Sequence, residues 1–420
     1  MKVLWLGGIV LPRIAKREEL PVNYMNGWLI KLSEELTSSQ QIKLVYVFDS
    51  NRNIEGSTKF YSYYGIQCNK ASTEKFGYEY IKQVENILKK ENPDIVHIWG
   101  TENSHSLAMV EACTNLGLKD SVVISIQGLV SKYFYHYYAY LPHYVVVDRT
   151  LRDIVKGNIA DGAKEFRKRG LLEEEAIRGV KHVIGRTEWD RACAWDINPT
   201  AKYHFNNETL RDEFYSGCWD QNACERYSIF CSQGHYPIKG IHLVIEALRR
   251  VVQEYPNAHL YIGGKDYISL PFWRQSSYGK YLVKLIKKYG LENNIFFTGF
   301  LNANQMKERY LKANVFVSAS SIENSPNSLG EAMLLGVPCI ASHVGGVHNL
   351  MEHGKEGYIY PADETYILAY YICDLFRNTE RACEFGKQAR NRALKTHNPE
   401  KNQNDLIQIY STIIEEGCSP

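Results

Sequence analysis

The chain contains no Asp-x-Asp, no Gly-x-Gly-x-x-Gly and no Cys-x-x-Cys. Without Asp-x-Asp there is no ready carboxylate pair to hold Mg²⁺ or Mn²⁺ against a diphosphate. Without the glycine fingerprint nothing points to a dinucleotide cofactor. The ten cysteines are scattered and match no metal-finger spacing, so they read as reduced cytosolic thiols. Basic and acidic residues nearly cancel, 49 against 47 for a formal charge of +2, which gives no global reason to invoke nucleic acid. No stretch approaches the ~18 apolar residues that a membrane span needs, and no short-period repeat suggests a solenoid. The start, MKVLWLGGIVLP, superficially mimics a signal peptide, but two glycines interrupt its apolar run and no small-residue cleavage site follows. It reads as a first buried strand ending in a glycine turn. The expected setting is cytoplasmic, with any membrane contact peripheral.

At 420 residues, 45% hydrophobic and 23% charged, the composition is that of a soluble globular protein with two domains. The first half alternates apolar runs (KVLWL, IKLVYVF, DIVHIW, SVVISIQ, KHVIGRT) with amphipathic ones (NYMNGWLIKLSEEL, YEYIKQVENILKKENP). In the latter, Tyr80, Val84, Ile87 and Leu88 share a helical face. Residues 189–225 look irregular and linker-like. The rhythm then restarts with strands RYSIFCSQ, AHLYIGG, NIFFTGF, ANVFVSAS and VPCIAS and helices GIHLVIEALRRVVQEYP and GKYLVKLIKKYG. Two tandem doubly wound α/β domains, 1–205 and 206–394, are the economical reading. The tail from about 395 carries an apolar stripe (Leu406, Ile407, Ile409, Tyr410, Ile413, Ile414) that predicts a final helix.

The most informative run is IENSPNSLGEAMLLGVPCIA, in which Glu323 and Glu331 stand eight residues apart. An apolar strand leads into a polar loop; Glu331 opens the segment EAMLLG, which halts at Gly336 before Pro338 and a second strand. Ligands of such strand–loop–helix–strand units bind beyond the carboxyl ends of the strands. Glu323 falls at that strand end and Glu331 on the helix behind it. Two carboxylates there can accept hydrogen bonds from sugar hydroxyls, while amides of the loop and helix start can bind a phosphate. A solvated helix-start glutamate favoured by the helix dipole is the plainer explanation of Glu331, but it leaves Glu323 unexplained.

This run resembles the Glu-x7-Glu signature of the large retaining glycosyltransferase family 4, and the resemblance extends through EAMLLGVPCIAS to the GG of SHVGGVHNL and to GYIYP. It implies a bacterial polysaccharide glycosyltransferase-like enzyme with two Rossmann-like doubly wound domains facing a cleft (GT-B). The C-terminal helix, 395–420, would cross back to the first, acceptor-binding domain, and the donor would bind to the second. No cofactor is implied; a UDP- or GDP-type nucleotide sugar is the co-substrate, and a saccharide or lipid-linked molecule accepts the sugar, as in surface polysaccharide assembly. Glu331 would accept bonds from the ribose hydroxyls and Glu323 from those of the sugar. The backbone amides around Asn327, Ser328 and Leu329 would hold phosphate. Lacking Asp-x-Asp, the chain falls outside the metal-dependent class, so positive charge and helix amides must stabilise the leaving group.

Other residues carry weaker signals. Lys239 precedes a helix marked by Gly240, where a lysine works against the dipole and faces solvent or an anion. By resemblance it binds the donor diphosphate with an arginine five residues earlier, but that position is Gly234, between Gln233 and His235. His235 or Arg186 are the candidates for the second cation. Arg186, after a strand, either faces the cleft as a fork for phosphate or braces the domain junction through Glu188 or Asp190. Gly7-Gly8 is either an anion-approaching loop, which in the family touches donor phosphate or acceptor, or a plain tight turn. Gln127 stands where family members carry a histidine that contacts the donor sugar, and it cannot act as a base. His97 reads as a packed core histidine, with Glu102 and His105 as looser acceptor-site candidates. NNETLRDEFY has no assignable chemistry. The tyrosine-rich KYFYHYYAYLPHY is an acceptor-binding wall, a peripheral membrane lip, or the packing between two helices. Two readings compete with sugar transfer: a nucleotide-sugar epimerase of similar fold, and a nucleotide-sugar-binding module with weakened catalysis.

Overall fold

The computed structural model describes residues 1–21, 27–38, 42–68 and 74–417. They form two compact units. The first comprises Met1–Phe134, Glu165–Thr209 and the chain from Asn398 on; the second comprises Tyr135–Lys164 and Leu210–His397.

The first unit is built on β1 (Lys2–Gly7), β2 (Lys43–Ser50), β3 (Ile54–Ser57), β4 (Tyr61–Gln67), β5 (Ile95–Trp99), β6 (Val122–Ser125), β7 (His182–Gly185) and β8 (Lys202–Phe205). Their order is β3-β4-β2-β1-β5-β6-β7-β8, parallel throughout except for the β3–β4 edge pair. Both faces of the central strands are buried, which is why they read as unbroken apolar runs rather than alternating ones. Leu4 and Leu6 of β1 pack with Val84 and Leu88 of the helix Tyr78–Glu91 on one face. Val3 and Trp5 pack with Leu406, Ile409, Tyr410 and Ile413 on the other. These last residues belong to the final helix, Pro399–Gly417, so the C-terminal stripe returns to the first unit, where Trp5 Nε1 donates to Tyr410 Oη at 3.0 Å. The helix expected over NYMNGWLIKLSEEL runs from Gly27 to Ser38; residues 23–26 of that expectation lie outside the described residues.

The expected irregular, linker-like stretch at 189–225 holds for 206–211 and 216–225, but its beginning is structured. Glu188–Ile197 is a helix started by a reciprocal cap between Thr187 and Asp190, and β8 follows at the sheet edge. The helix buries only Asp190, Ala194 and Ile197, and no residue of β8 is fully buried, so neither shows an apolar pattern.

The second unit is a fully parallel sheet of β9 (Ser228–Cys231), β10 (His259–Ile262), β11 (Ile295–Phe297), β12 (Val315–Ser318), β13 (Cys339–Ser342) and β14 (Gly357–Tyr360), in the order β11-β10-β9-β12-β13-β14. The chain runs outward from β9 to β11, then returns to β12 on the other side of β9. That reversal makes the carboxyl ends of β9 and β12 the switch point where ligands of such sheets bind. The helix Ile241–Glu254 covers the sheet with Ile241, Val244, Ile245, Leu248 and Val251, an i, i+3, i+4 stripe. Residues 135–164, assigned to the first domain in the sequence reading, belong to this unit. His242 Nε2 lies 2.7 Å from the Ala139 carbonyl, Ser321 Oγ donates to the His136 carbonyl, and Leu141, Val145 and Val146 enter the core.

Candidate functional site

The helix carrying Glu331 spans Asn327–Leu335 and so begins four residues before the predicted start, with Pro326 as its N-cap residue. A proline's fixed φ suits that boundary. Glu331 therefore lies in the second turn, not at the opening, and faces inward. It is not a solvated helix-start glutamate: it is buried, and Arg211 grips it in a two-pronged pair, Nε to Oε1 at 2.7 Å and Nη2 to Oε2 at 2.8 Å. Burial pushes the Glu331 carboxyl up, and the Arg211 guanidinium opposes that shift. Arg211 also lies over the Phe214 ring at 4.7 Å. Its segment, NNETLRDEFY, had no chemistry assigned from sequence. The one available signal was an arginine amid aromatic residues, and nothing in a single sequence ties it to a glutamate 120 positions away.

At the switch point, Lys239, Glu323 and Ser328 line a pocket of about 270 Å³ with Ser232 and Gln233 from the end of β9 and Ser318–Ser320 from the end of β12. Lys239 sits in a short 3-10 turn, Pro237–Lys239, ahead of its helix. Gly240 follows with φ +66°, and a Cβ there would stand 1.9 Å from the Ala319 carbonyl oxygen. Only glycine lets this turn abut the end of β12, and the Ser321 amide closes the junction on the Ile238 carbonyl at 2.8 Å. Lys239 Nζ lies 2.5 Å from Glu323 Oε1, which also accepts from Ser320 Oγ at 2.8 Å. Burial alone would lower the Lys239 pKa; the charge and hydrogen bond of Glu323 together with the Tyr236 hydroxyl outweigh it, and the ammonium is held above its ordinary range. Gly345, of the Gly-Gly in SHVGGVHNL, has φ +48° and packs where a Cβ would meet the Glu323 carbonyl oxygen at 1.9 Å, while the Gly346 amide donates to that oxygen at 3.0 Å. The glycine pair thus positions the Glu323 backbone.

Of the three amides expected to meet phosphate, that of Leu329 donates to the Pro326 carbonyl at 3.0 Å. Ser328 lines the pocket, and its carbonyl accepts from Tyr310 Oη at 2.9 Å. Asn327 opens the helix. At Gly234, where the family's arginine would stand, a Cβ would meet Ile262 Cγ2 at 2.5 Å, so β10 leaves no room for any side chain. His235 is held below its ordinary pKa by burial and by the Lys239 charge, which disfavours it as the second cation.

The remaining candidates lie in the first unit. Arg186 is buried and paired with Glu208, and its Nη2 reaches Gln127 Oε1 at 3.4 Å. Asp190 contacts only its backbone amide, at 2.9 Å, so neither bracing partner expected from sequence takes the guanidinium. Arg186 and Gln127 line a pocket of about 420 Å³ with Trp99, Asn206, Glu208 and Thr209 at the carboxyl ends of β5 to β8. Arg186 Nε, Asn206 Oδ1 and Thr209 Oγ1 are buried there without a hydrogen-bond partner among the described residues. A concave site with polar atoms to spare suits a polyhydroxylated ligand.

Gly7 ends β1, and a Cβ on it would stand 2.0 Å from the Tyr46 hydroxyl, which donates to the Ile9 carbonyl at 2.8 Å. Packing alone accounts for that glycine. Gly8 is exposed near Asn103 and His105. His97 is fully buried between Tyr410 Oη and Ser125 Oγ, each at 2.6 Å, and burial holds its pKa well below the ordinary value; it is a neutral core histidine. His105 Nδ1 pairs with Asp49 at 2.8 Å, leaving Nε2 buried and without a partner among the described residues. Glu102 accepts from the Thr101 amide through Oε2 at 2.9 Å. In the tyrosine-rich segment, Tyr135, Tyr138 and Tyr140 are exposed, Tyr137 packs against the core, and Tyr144, though exposed, stands edge-to-face to Tyr281 of the helix Ser277–Tyr289.

Residues 220–392 match the family of glycosyl transferases group 1. Among curated proteins, a putative glycosyltransferase, YtcC, of Bacillus subtilis is 33% identical over 124 residues, which is 29% of this chain and 30% of the relative. The chain's matches span less than half the length of the first such relatives, between 30% and 45%. Among solved structures, sucrose-phosphate synthase from Thermosynechococcus elongatus superposes with a TM-score of 0.71 at 16% identity, covering 99% of this chain and 100% of that one. Anabaena HepE in complex with UDP-glucose does so with a TM-score of 0.67 at 15% identity, covering 98% and 100%. At such identities the likeness shows the fold alone, two Rossmann-like domains of the GT-B type. The second unit carries a group 1 glycosyl transferase domain, and the pocket of Lys239 and Glu323 lies within it.

Proposed function

Since residues 220–392 belong to the glycosyl transferases group 1 family, we propose that the chain is a retaining glycosyltransferase. It moves a sugar from a nucleotide-sugar donor to a saccharide or lipid-linked acceptor, in the cytoplasm and without a metal, in surface polysaccharide or glycoconjugate assembly. The observation that carries this reading is the Lys239–Glu323 pair in the pocket at the β9–β12 switch point, with Glu331 fixed behind it. The liganded neighbour favours UDP as the nucleotide.

In this reading Glu331 accepts bonds from both ribose hydroxyls. Arg211 uses one lone pair of each carboxylate oxygen and aims the others. Glu323 has Oε1 committed to Lys239 and Ser320 and presents Oε2 to a hydroxyl of the sugar. As the bond between the anomeric carbon and the diphosphate breaks, negative charge grows on the leaving oxygen, and Lys239 and the Asn327 and Ser328 amides stabilise it. The acceptor hydroxyl attacks from the face the diphosphate leaves, and a phosphate oxygen takes its proton. Gln127 and Arg186 help to hold the sugars, and the loop at Gly8 borders the acceptor. His97, buried and neutral, is no base for the inverting alternative.

Incubation with a panel of UDP- and GDP-sugars, with and without mixed saccharide or lipid-linked acceptors, tests the reading. Nucleotide release that requires the acceptor and is lost in Lys239→Ala is the expected result. An epimerised donor with no acceptor requirement would instead identify an isomerase.

A further inference from the structure

The helix Leu151–Lys156 belongs to the second unit and has all three of its apolar side chains turned outward: Leu151 is 61%, Ile154 67% and Val155 82% exposed. It is fixed there. Thr150 Oγ1 donates to the Gln275 carbonyl at 2.7 Å, and the buried Asp153 accepts from the Ser277 amide at 2.7 Å. These bonds seat it against the short turn Phe272–Arg274, whose Phe272 (74%) and Trp273 (53%) are also exposed and stand edge-to-face at 5.2 Å. Five large apolar side chains on two adjoining elements form a patch that a water-facing surface does not retain without a use.

A cluster of cations adjoins the patch. Arg152 and Lys156 come from the helix, Arg274 from the turn, and Lys265 from the loop after β10. They are close enough to act on one another: burial, then Arg152, Lys156 and Arg274 in turn, hold the Lys265 ammonium below its ordinary pKa. The buried Asp153 pairs with Arg152 at 2.9 Å and offsets that charge, while Asp266 accepts the Ile268 and Ser269 amides of its own turn, so Lys156, Arg274 and Lys265 carry the cationic character. Aromatic and branched aliphatic side chains beside a cluster of cations match the boundary of a bilayer with anionic headgroups. Indole and phenyl rings settle among the acyl-chain ends there, and lysine and arginine meet the phosphates. A protein partner would bury the same apolar surface but would not call for a cluster of cations beside it.

We propose that the helix Leu151–Lys156 and the turn Phe272–Arg274 together form a docking surface for an anionic lipid bilayer. The contact is peripheral, since no helix among the described residues is long and apolar enough to cross a membrane. None of these side chains lines the Lys239 pocket, so the variants below leave its lining intact.

Co-sedimentation of the whole protein with vesicles of phosphatidylcholine, with and without phosphatidylglycerol, tests the proposal. The wild type is expected to bind the anionic vesicles, to release as salt rises, and to bind zwitterionic vesicles weakly. Lys156→Ala and Arg274→Ala are each expected to weaken anionic-vesicle binding roughly fivefold. Phe272→Ser combined with Trp273→Ser is expected to abolish it at an unchanged melting temperature. Failure of the wild type to sediment with anionic vesicles, or binding indifferent to salt and to these changes, overturns the proposal. A wild type that ignores vesicles but forms a dimer lost in the Phe272→Ser, Trp273→Ser variant would show instead that a second copy covers the patch.

Discussion

Arg211 and Glu331 are each other's main partner, and both are largely buried. Removing one member of such a pair strands the other charge, at a cost of about 3–5 kcal/mol. Arg211→Ala is therefore expected to lower the melting temperature and to weaken donor binding together. Arg211→Met with Glu331→Leu leaves no stranded charge and is expected to regain much of the stability while donor binding stays lost. Thermal melts paired with nucleotide titrations separate the two effects. Recovery of binding in the double variant would show that the pair is structural only. The pairing also marks what a sequence conceals. The Glu-x7-Glu spacing is local and legible; the arginine that orients its second member arrives from across the second unit.

Elements differ in legibility for the same kind of reason. The central strands of both sheets are buried on both faces and stand out as apolar runs. β3 and β4 form an edge pair in which Tyr61 and Tyr63 face one cluster and Tyr64 and Ile66 the other, an alternation hidden because tyrosine serves both faces. Half of the residues of the long helix Ile159–Arg178 are charged, and its central function is polar: Glu173 ties together the loops after β5 and β6. Its Oε1 accepts from the Ser131 amide and hydroxyl, at 3.0 and 2.6 Å, and its Oε2 lies 2.8 Å from Thr101 Oγ1. Thr101 has one proton and also approaches the Gly128 carbonyl at 3.0 Å. A protonated Glu173 resolves the conflict by donating to Thr101, whose proton then serves Gly128.

Burial pushes the Glu173 carboxyl up to about 7 from an ordinary 4.5, against the hydrogen bonds that its ionised form accepts from Ser131 and Thr101. Between those values the folded protein holds a proton that the unfolded chain has released, so stability falls as pH rises through the window and levels off above it. The full loss is at most about 3 kcal/mol. Melting temperatures of wild type and Glu173→Gln measured from pH 5 to 8 are expected to converge or cross as pH rises, because the variant lacks this slope. Parallel curves would contradict the assignment.

Over the whole molecule, one architecture occurs twice with different burdens. The sheet of the first unit is closed on one face by the final helix, and its pocket offers spare polar atoms around Arg186, Asn206 and Thr209. The sheet of the second unit places a cation and a carboxylate at its switch point and a second carboxylate behind them. The division into two α/β units was legible from the restart of the strand rhythm after residue 225, although the segment 135–164 belongs to the second unit. That segment is tyrosine-rich and lacks long elements, so sequence order alone placed it with its neighbours. The central claim is that the second unit binds a nucleoside diphosphate sugar through Glu331, Glu323 and Lys239. Calorimetric titration of UDP, GDP and their sugars into the wild type and Glu331→Ala tests it most directly. The account predicts saturable binding of one nucleotide type by the wild type and affinity lowered roughly 10- to 100-fold in a folded Glu331→Ala, the loss of charge-assisted hydrogen bonds worth ~1.5–3 kcal/mol each. Equal affinity in both proteins, or no nucleotide bound by the wild type, would contradict it.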